Sequence, residues 1–188
     1  MPGAKRGSRM ELQVAQNAMR IANAGGAPGV FVSGIVWLIS GLAWLRLGVI
    51  PAFGVLFVGG MAIVPGALFI ARVVLRAPKP VVGNPLDRLG LESTFPLFAG
   101  LLIAYALLRI NPQAVFPVMA ITIGARYFTF RTIYGQPIYW LLGSLLVAVG
   151  STAVLGLVTW PINLAIVAGS LEVLLAIVLF VRRDATEG

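Results

Sequence analysis

Cysteine and histidine are both missing from this 188-residue chain, and Asp and Glu together number only 6. Without them there are no disulfides, no thiol nucleophiles, no haem or zinc site built on Cys or His, and no imidazole acid–base chemistry. Any proton transfer must run through Asp, Glu, Tyr, Lys or Arg. Charge of either sign is scarce: 11% of residues are charged and 59% are hydrophobic. A soluble domain carries about 25% charged and about 45–50% apolar residues, so these values, with a mean hydropathy of +0.97, describe a polytopic membrane protein. A Walker loop, a paired Asp-rich motif for diphosphate-bound magnesium and a serine elbow are also missing, so no cofactor or metal is implied. The net charge of +8 is not a nucleic-acid signal, because its distribution follows a membrane topology.

Hydropathy and turn residues divide the chain into six spans, roughly 29–48, 52–74, 93–109, 113–133, 138–159 and 162–181. The runs are continuous rather than alternating, which selects helices over barrel strands. Short proline-bearing connections at Ile50-Pro51, Asn111-Pro112 and Trp160-Pro161 would tie the six helices into three hairpins. Twelve cations then fall on one side: Lys5, Arg6, Arg9, Arg20, Arg72, Arg76, Lys79, Arg88, Arg126, Arg131, Arg182 and Arg183. Only Arg46 and Arg109 fall on the other. By the positive-inside rule both termini and the two longer loops are cytoplasmic, and an odd number of spans would spoil the sorting.

The basic start, Met1 to Arg9, is followed by no apolar run until about Gly29, so no cleaved signal peptide is expected. Residues 10–23 read as an amphipathic helix, with Gln13, Gln16, Asn17, Arg20 and Asn23 on one face. Met10, Val14, Ala18, Ile21 and Ala22 form another face, and Gly25-Gly26 ends the helix. Such a helix suits the cytoplasmic interface, its cations toward anionic lipid headgroups; a gate across a cytoplasmic opening is the alternative. The organisation expected is an interfacial segment 1–27, a single six-helix transmembrane domain 28–183 and a cytoplasmic tail 184–188.

Glu172 lies within the apolar run Leu164–Phe180, eleven residues after Pro161 and ten before Arg182. At roughly 1.5 Å per residue it sits about 15–17 Å from either helix end, near the midplane of a hydrocarbon core roughly 30 Å thick. An acid there costs on the order of 2.5–3.5 kcal/mol on insertion scales. Ala165, Ala168, Gly169 and Ala176 share its face, and a small-residue stripe marks close helix packing, so Glu172 is expected to point into the bundle. Three readings stay open. It is a neutral carboxyl donating to serine or backbone, a proton or cation site, or one half of a salt bridge.

The bridge partner on offer is Arg126, about 21 Å along its helix from Pro112; snorkelling toward the headgroups is its alternative. Tyr127, Arg131 and Tyr134 follow at helical spacing, and aromatics at this level commonly form an interfacial belt. In the loop 83–96, Asn84-Pro85 reads as an N-cap and first helical residue, Asp87 suits the positive helix end, and Gly90 could close the short helix. Glu92 is not explained by capping. With Arg126 and Arg131 it makes a second candidate site, able to hold an anionic headgroup or acidic solute.

Three stretches carry a family resemblance: Asn23-Ala-Gly-Gly-Ala-Pro-Gly-Val-Phe-Val-Ser-Gly-Ile-Val-Trp-Leu38, Gly83-Asn-Pro-Leu through Leu91-Glu-Ser-Thr-Phe95, and Ala125-Arg-Tyr with Ile133-Tyr-Gly-Gln-Pro-Ile-Tyr-Trp140. The chain resembles an uncharacterised family of small bacterial polytopic membrane proteins, a domain of unknown function. That resemblance implies a bacterial cytoplasmic membrane and no established activity. It favours the stretch around Glu92, Arg126 and Tyr134 over Glu172, which lies outside the shared pieces. The leading functional expectation is binding or transport of a small solute or lipid, with Glu172 protonatable and Arg126, Tyr127, Arg131, Tyr134 and Glu92 as candidate ligand contacts. A membrane enzyme using a carboxylic general acid and a structural subunit are the alternatives, and an oligomer is compatible with either.

Overall fold

The computed structural model describes the backbone of residues 3–187 and the side chains of residues 11–182. The expected placements of Lys5, Arg6, Arg9, Met10, Arg183 and the tail 184–188 lie outside the described side chains. Every regular element among the described residues is helical. Helix α1 (Gly3–Ala22) leads through a tight turn at Ala24–Gly26 into α2 (Ala27–Leu47). Helix α3 (Val49–Phe69) continues through a π-helical turn, Ile70–Val74. A short α4 (Pro85–Glu92) precedes α5 (Phe95–Ile110), α6 (Val115–Tyr134), α7 (Ile138–Val154) and α8 (Leu164–Glu187).

Four helical stretches are long and apolar enough to cross a membrane: Ala24–Leu47, Val49–Val74, Pro85–Ile110 and Leu164–Arg182. Helix α6 carries Arg126 and Arg131, and α7 has only 17 residues; neither is among the four. The outward faces are apolar, with Leu45, Val58, Met61, Val64, Leu102 and Leu174 all exposed. Water would penalise so much bare hydrocarbon, whereas helices with satisfied backbones suit a bilayer. The fold is that of a membrane protein.

The helices group into two sets. In the first, α2 lies antiparallel between α3 and α8; in the second, α6 lies antiparallel between α5 and α7. Glycines set the closest approaches. A Cβ on Gly169 of α8 would meet the Gly34 carbonyl of α2 at 2.8 Å, and one on Gly124 of α6 would meet the Gly143 carbonyl of α7 at 2.9 Å. The sets join where α8 meets α6 and α7, while α3 and α5 barely touch. The last two helices therefore pair less with each other than a simple third hairpin implies, since α8 packs mainly along α2.

Several expected boundaries shift for local reasons. Pro51 lies inside the first turn of α3, where a missing N–H costs nothing, because Gly48 at φ +89° makes the break instead. Helix α7 stops at Val154 rather than near 159: Gly156 adopts φ +66°, and the Leu157 N–H returns to the Thr152 carbonyl. Asn163 then caps α8 by accepting from the Ile166 N–H at 3.1 Å. Asn84 caps α4 as expected, accepting from Leu86 at 3.0 Å. Gly90 does not close that helix, which continues to Glu92 with Gly90 right-handed.

Helix α1 is docked rather than free. Gln16 donates to the Thr132 carbonyl at 2.7 Å, Asn84 donates to the Ala15 carbonyl at 3.0 Å, and Met19 packs with Leu86 and Ile133. Arg72 donates to the carbonyls of Ala22, Ala77 and Pro78, fastening the end of α1 to the end of α3. This places α1 across the α4–α6 end, with Val14 and Ile21 facing outward and Ala22 buried, so the expected apolar face is split.

Candidate functional site

Between the two helix sets lies a cavity of about 500 Å³, within the usual range for small-molecule sites. Helices α2, α3, α5 and α6 supply its walls. On α6 its lining runs from Met119 to Tyr134, and along α3 and the π-helical turn after it from Leu56 to Ala71, each about 22 Å at helical rise. Phe57, Met61, Val64 and Phe98 line it while remaining exposed, so it opens sideways through the gap between α3 and α5.

The cavity is chemically two-ended. Trp37, Leu56, Leu101 and Met119 make one end apolar. Asn23, Thr94, Arg126, Tyr127 and Tyr134 gather toward the other, where α1 is docked. Arg126 is held there by two contacts: its Nε donates to the Ser93 hydroxyl at 3.2 Å, and its guanidinium carbon lies 5.0 Å from the Phe130 ring centroid. It forms an ion pair with no carboxylate among the described residues, and its terminal nitrogens have no protein acceptor. The predicted bridge to Glu172 is not formed.

Glu172 is 0% exposed, on the face of α8 that it shares with fully buried Ala165, Ala168 and Ala176. The small-residue stripe thus points it into the bundle, as its spacing indicates. The Tyr127 hydroxyl donates to Glu172 Oε1 at 2.9 Å, while Oε2 has no partner. The Ser33 hydroxyl of α2 faces both side chains. The serine expected beside the carboxyl is Ser33, and a tyrosine that was not expected there, Tyr127, makes the shorter hydrogen bond. Glu172 itself lines no part of the cavity, but Tyr127 and Ser33 do. The carboxyl stands one side chain behind the wall.

An aromatic group backs this wall. Tyr139 stacks with Tyr127 at 6.1 Å and with Tyr134 at 5.5 Å, and Phe130 meets Tyr127 and Tyr139 edge-on. The Tyr139 hydroxyl donates to the Gly25 carbonyl at 2.5 Å. That contact needs the turn before α2, where Ala24, Gly25 and Gly26 have φ of +49°, +63° and +83°. A side chain on Gly26 would be strained and would strike Tyr134 and Tyr139. Tyr127 is thus buried inside an aromatic cluster, with Tyr134 half-buried at its edge.

Of the second candidate site, only Arg126 reaches the cavity. Glu92 is exposed at the end of α4, and Arg131 lies 5.5 Å from the Trp140 ring on another side of α6. The structure does not bring Glu92, Arg126 and Arg131 together. Sequence reasoning missed Asn23 and Ser33 as site residues. The signals were present: Asn23 precedes a Gly-Gly turn, and Ser33, Trp37 and Ser40 recur at helical spacing along one buried stripe. Among the described residues no three Asp or Glu side chains stand together as metal ligands.

Over residues 12–182 the chain matches the model of a family of unknown function (DUF7010), and it belongs to that family. No curated protein matches it, and no solved structure does.

Proposed function

We propose that this member of the family is a six-span protein of the bacterial cytoplasmic membrane that binds and moves a small lipophilic molecule through its lateral cavity. The spans are α2, α3, α5, α6, α7 and α8, with both termini cytoplasmic and residues 28–183 forming one transmembrane domain. The sorting of Arg72, Arg76, Lys79 and Arg88 against Arg46 and Arg109 supports that orientation. Helix α1, with Leu12, Val14 and Ile21 exposed, then lies at the cytoplasmic interface, its basic residues toward anionic headgroups.

The observation that carries the reading is the two-ended cavity open between α3 and α5, a route for a molecule arriving from the bilayer. Glu172 serves as the protonatable group, reached from the cavity through Tyr127. A general acid must lie within hydrogen-bond reach of its substrate, and Glu172 stands behind the wall, so binding and transport fit better than catalysis. The test is to purify the full chain in detergent-free lipid discs and identify bound lipophilic molecules by mass spectrometry. Ile63→Trp and Leu101→Trp, which fill the cavity from α3 and α5, should lose those molecules while unfolding at nearly the parental temperature. Equal retention by the filled variants, or no bound molecule in the parent, overturns the reading.

A further inference from the structure

We infer that the ligand is an acidic amphiphile, its anionic headgroup seated on Arg126 and its apolar tail running toward Trp37 and Met119. This rests on the proposed role of the cavity and adds the chemical class of its occupant.

The first observation is an unneutralised cation. Among the described residues Arg126 is the one cation lining the cavity, and its Nε is already engaged by Ser93. Its two terminal nitrogens have no acceptor among the described residues, and its guanidinium carbon lies 5.0 Å from the Phe130 ring centroid. A guanidinium in low-dielectric surroundings is costly without a counter-charge, and a planar pair of N–H donors matches carboxylate or phosphate oxygens. Glu172 acts on Arg126 only through space and makes no ion pair with it. It is outside the cavity, with Tyr127 interposed.

The second observation is the company Arg126 keeps. The Tyr134 hydroxyl has no hydrogen-bond partner among the described residues, and Tyr134, Asn23 and Arg126 line the same end. These groups offer further donors to an anion. The third is the gradient: the rest of the wall is almost wholly apolar and ends at an opening flanked by Phe57 and Phe98. A free anion would use the first two features and leave the third unexplained. A neutral lipid would use the third and leave Arg126 bare.

Four probes separate these cases with the full chain in detergent solution: oleate, lysophosphatidic acid with an oleoyl tail, oleyl alcohol and inorganic phosphate. The expected result is saturable binding of either or both acidic amphiphiles, at least tenfold tighter than oleyl alcohol, and none of phosphate. Which acid binds tighter assigns carboxylate or phosphate as the headgroup. Arg126→Gln should weaken the acids at least tenfold and leave oleyl alcohol unchanged. Should that variant misfold, Arg126→Lys, which keeps the charge but loses the planar fork, and Tyr134→Phe should each weaken the acids several-fold. Oleyl alcohol binding as tightly as the acids, or acids indifferent to Arg126, overturns the headgroup assignment and leaves the cavity reading intact. Phosphate binding as tightly as the acids overturns the amphiphile. If no tailed probe binds, the cavity reading and this inference both fail.

Discussion

Replacing Tyr127 by Phe removes one oxygen atom and leaves the ring stack with Tyr139 and the edge contact with Phe130 in place. What it takes away is the donor to Glu172 Oε1, after which neither oxygen of a fully buried carboxyl has a close protein donor beyond the nearby Ser33. Orphaning a buried acceptor costs about 1–3 kcal/mol. Hydrogen bonds inside membrane proteins average about 0.6 kcal/mol in double-mutant cycles and reach about 1.7, because partners are also found in the unfolded reference state. The single variant should therefore lose about 1–3 kcal/mol, and the coupling with Glu172→Leu should come to about 0.6–1.7 kcal/mol. Reversible unfolding in mixed micelles, run on the parent, both single variants and the double variant, measures it. Glu172→Leu alone is the informative arm, since an apolar side chain of similar size in that small-residue seat carries no desolvation penalty. If the two substitutions add to within about 0.3 kcal/mol, the sites are independent. The Tyr127–Glu172 bond would then not be what links α6 to α8.

The remaining predictions address packing, fastening, topology and proton linkage. Gly169→Ala should cost about 1–3 kcal/mol in the same unfolding assay, because its Cβ meets the Gly34 carbonyl and Leu38 backbone, which cannot rotate aside. Gly54→Ala, with nothing within 4 Å, should be neutral or gain about 0.5–1 kcal/mol, and equal losses at the two positions would refute the close-packing account. Arg72→Lys should loosen α1, seen as faster hydrogen exchange at the Ala22 and Ala77 amides, because a point charge cannot serve three carbonyls; unchanged exchange contradicts this. With no native cysteine, Val82→Cys and Leu157→Cys can be labelled singly with a membrane-impermeant thiol reagent, and they should react from opposite faces. Reaction from the same face removes the six-span topology. Glu172→Gln in proteoliposomes should abolish proton-linked flux of the ligand, and unaltered flux and pH dependence would dismiss the carboxyl from that role.

What the sequence makes legible follows periodicity. The direction of Glu172 could be read because Ala165, Ala168 and Ala176 repeat at helical spacing, and a small-residue face has one common use. The cap at Asn84 and the break at Gly25-Gly26 could be read because their chemistry is local. The cavity could not. It depends on which helices fail to touch, and the gap between α3 and α5 is a property of how two helix sets lean on each other. The same reason dissolved the grouping of Glu92 with Arg126 and Arg131, since equal depth along a helix says nothing about azimuth. Arg131 faces Trp140, five residues and part of a turn away from the side that holds Arg126 against Phe130.

These placements change what a midplane acid means here. If bundle packing were the only requirement at position 172, an apolar residue would serve better, because Glu172 keeps one oxygen without a partner inside a bed of alanines. Beside the Ser33 hydroxyl of its own helix set, it is held by Tyr127, which belongs to the opposite set and also lines the cavity. The one hydroxyl proton of Tyr127 cannot go to Glu172 and to a ligand headgroup at once. A ligand anion that draws the Tyr127 proton toward Arg126 leaves the carboxyl to find its own proton, and a protonated carboxyl releases Tyr127 to the ligand. Occupancy of the cavity and protonation of Glu172 thereby favour each other, and both work against the tie that this one hydrogen bond makes between the two helix sets. Where Glu172 is ionised in the empty protein, linkage in both directions follows: ligand binding must take up a proton in the parent, and Tyr127→Phe must bind without that uptake.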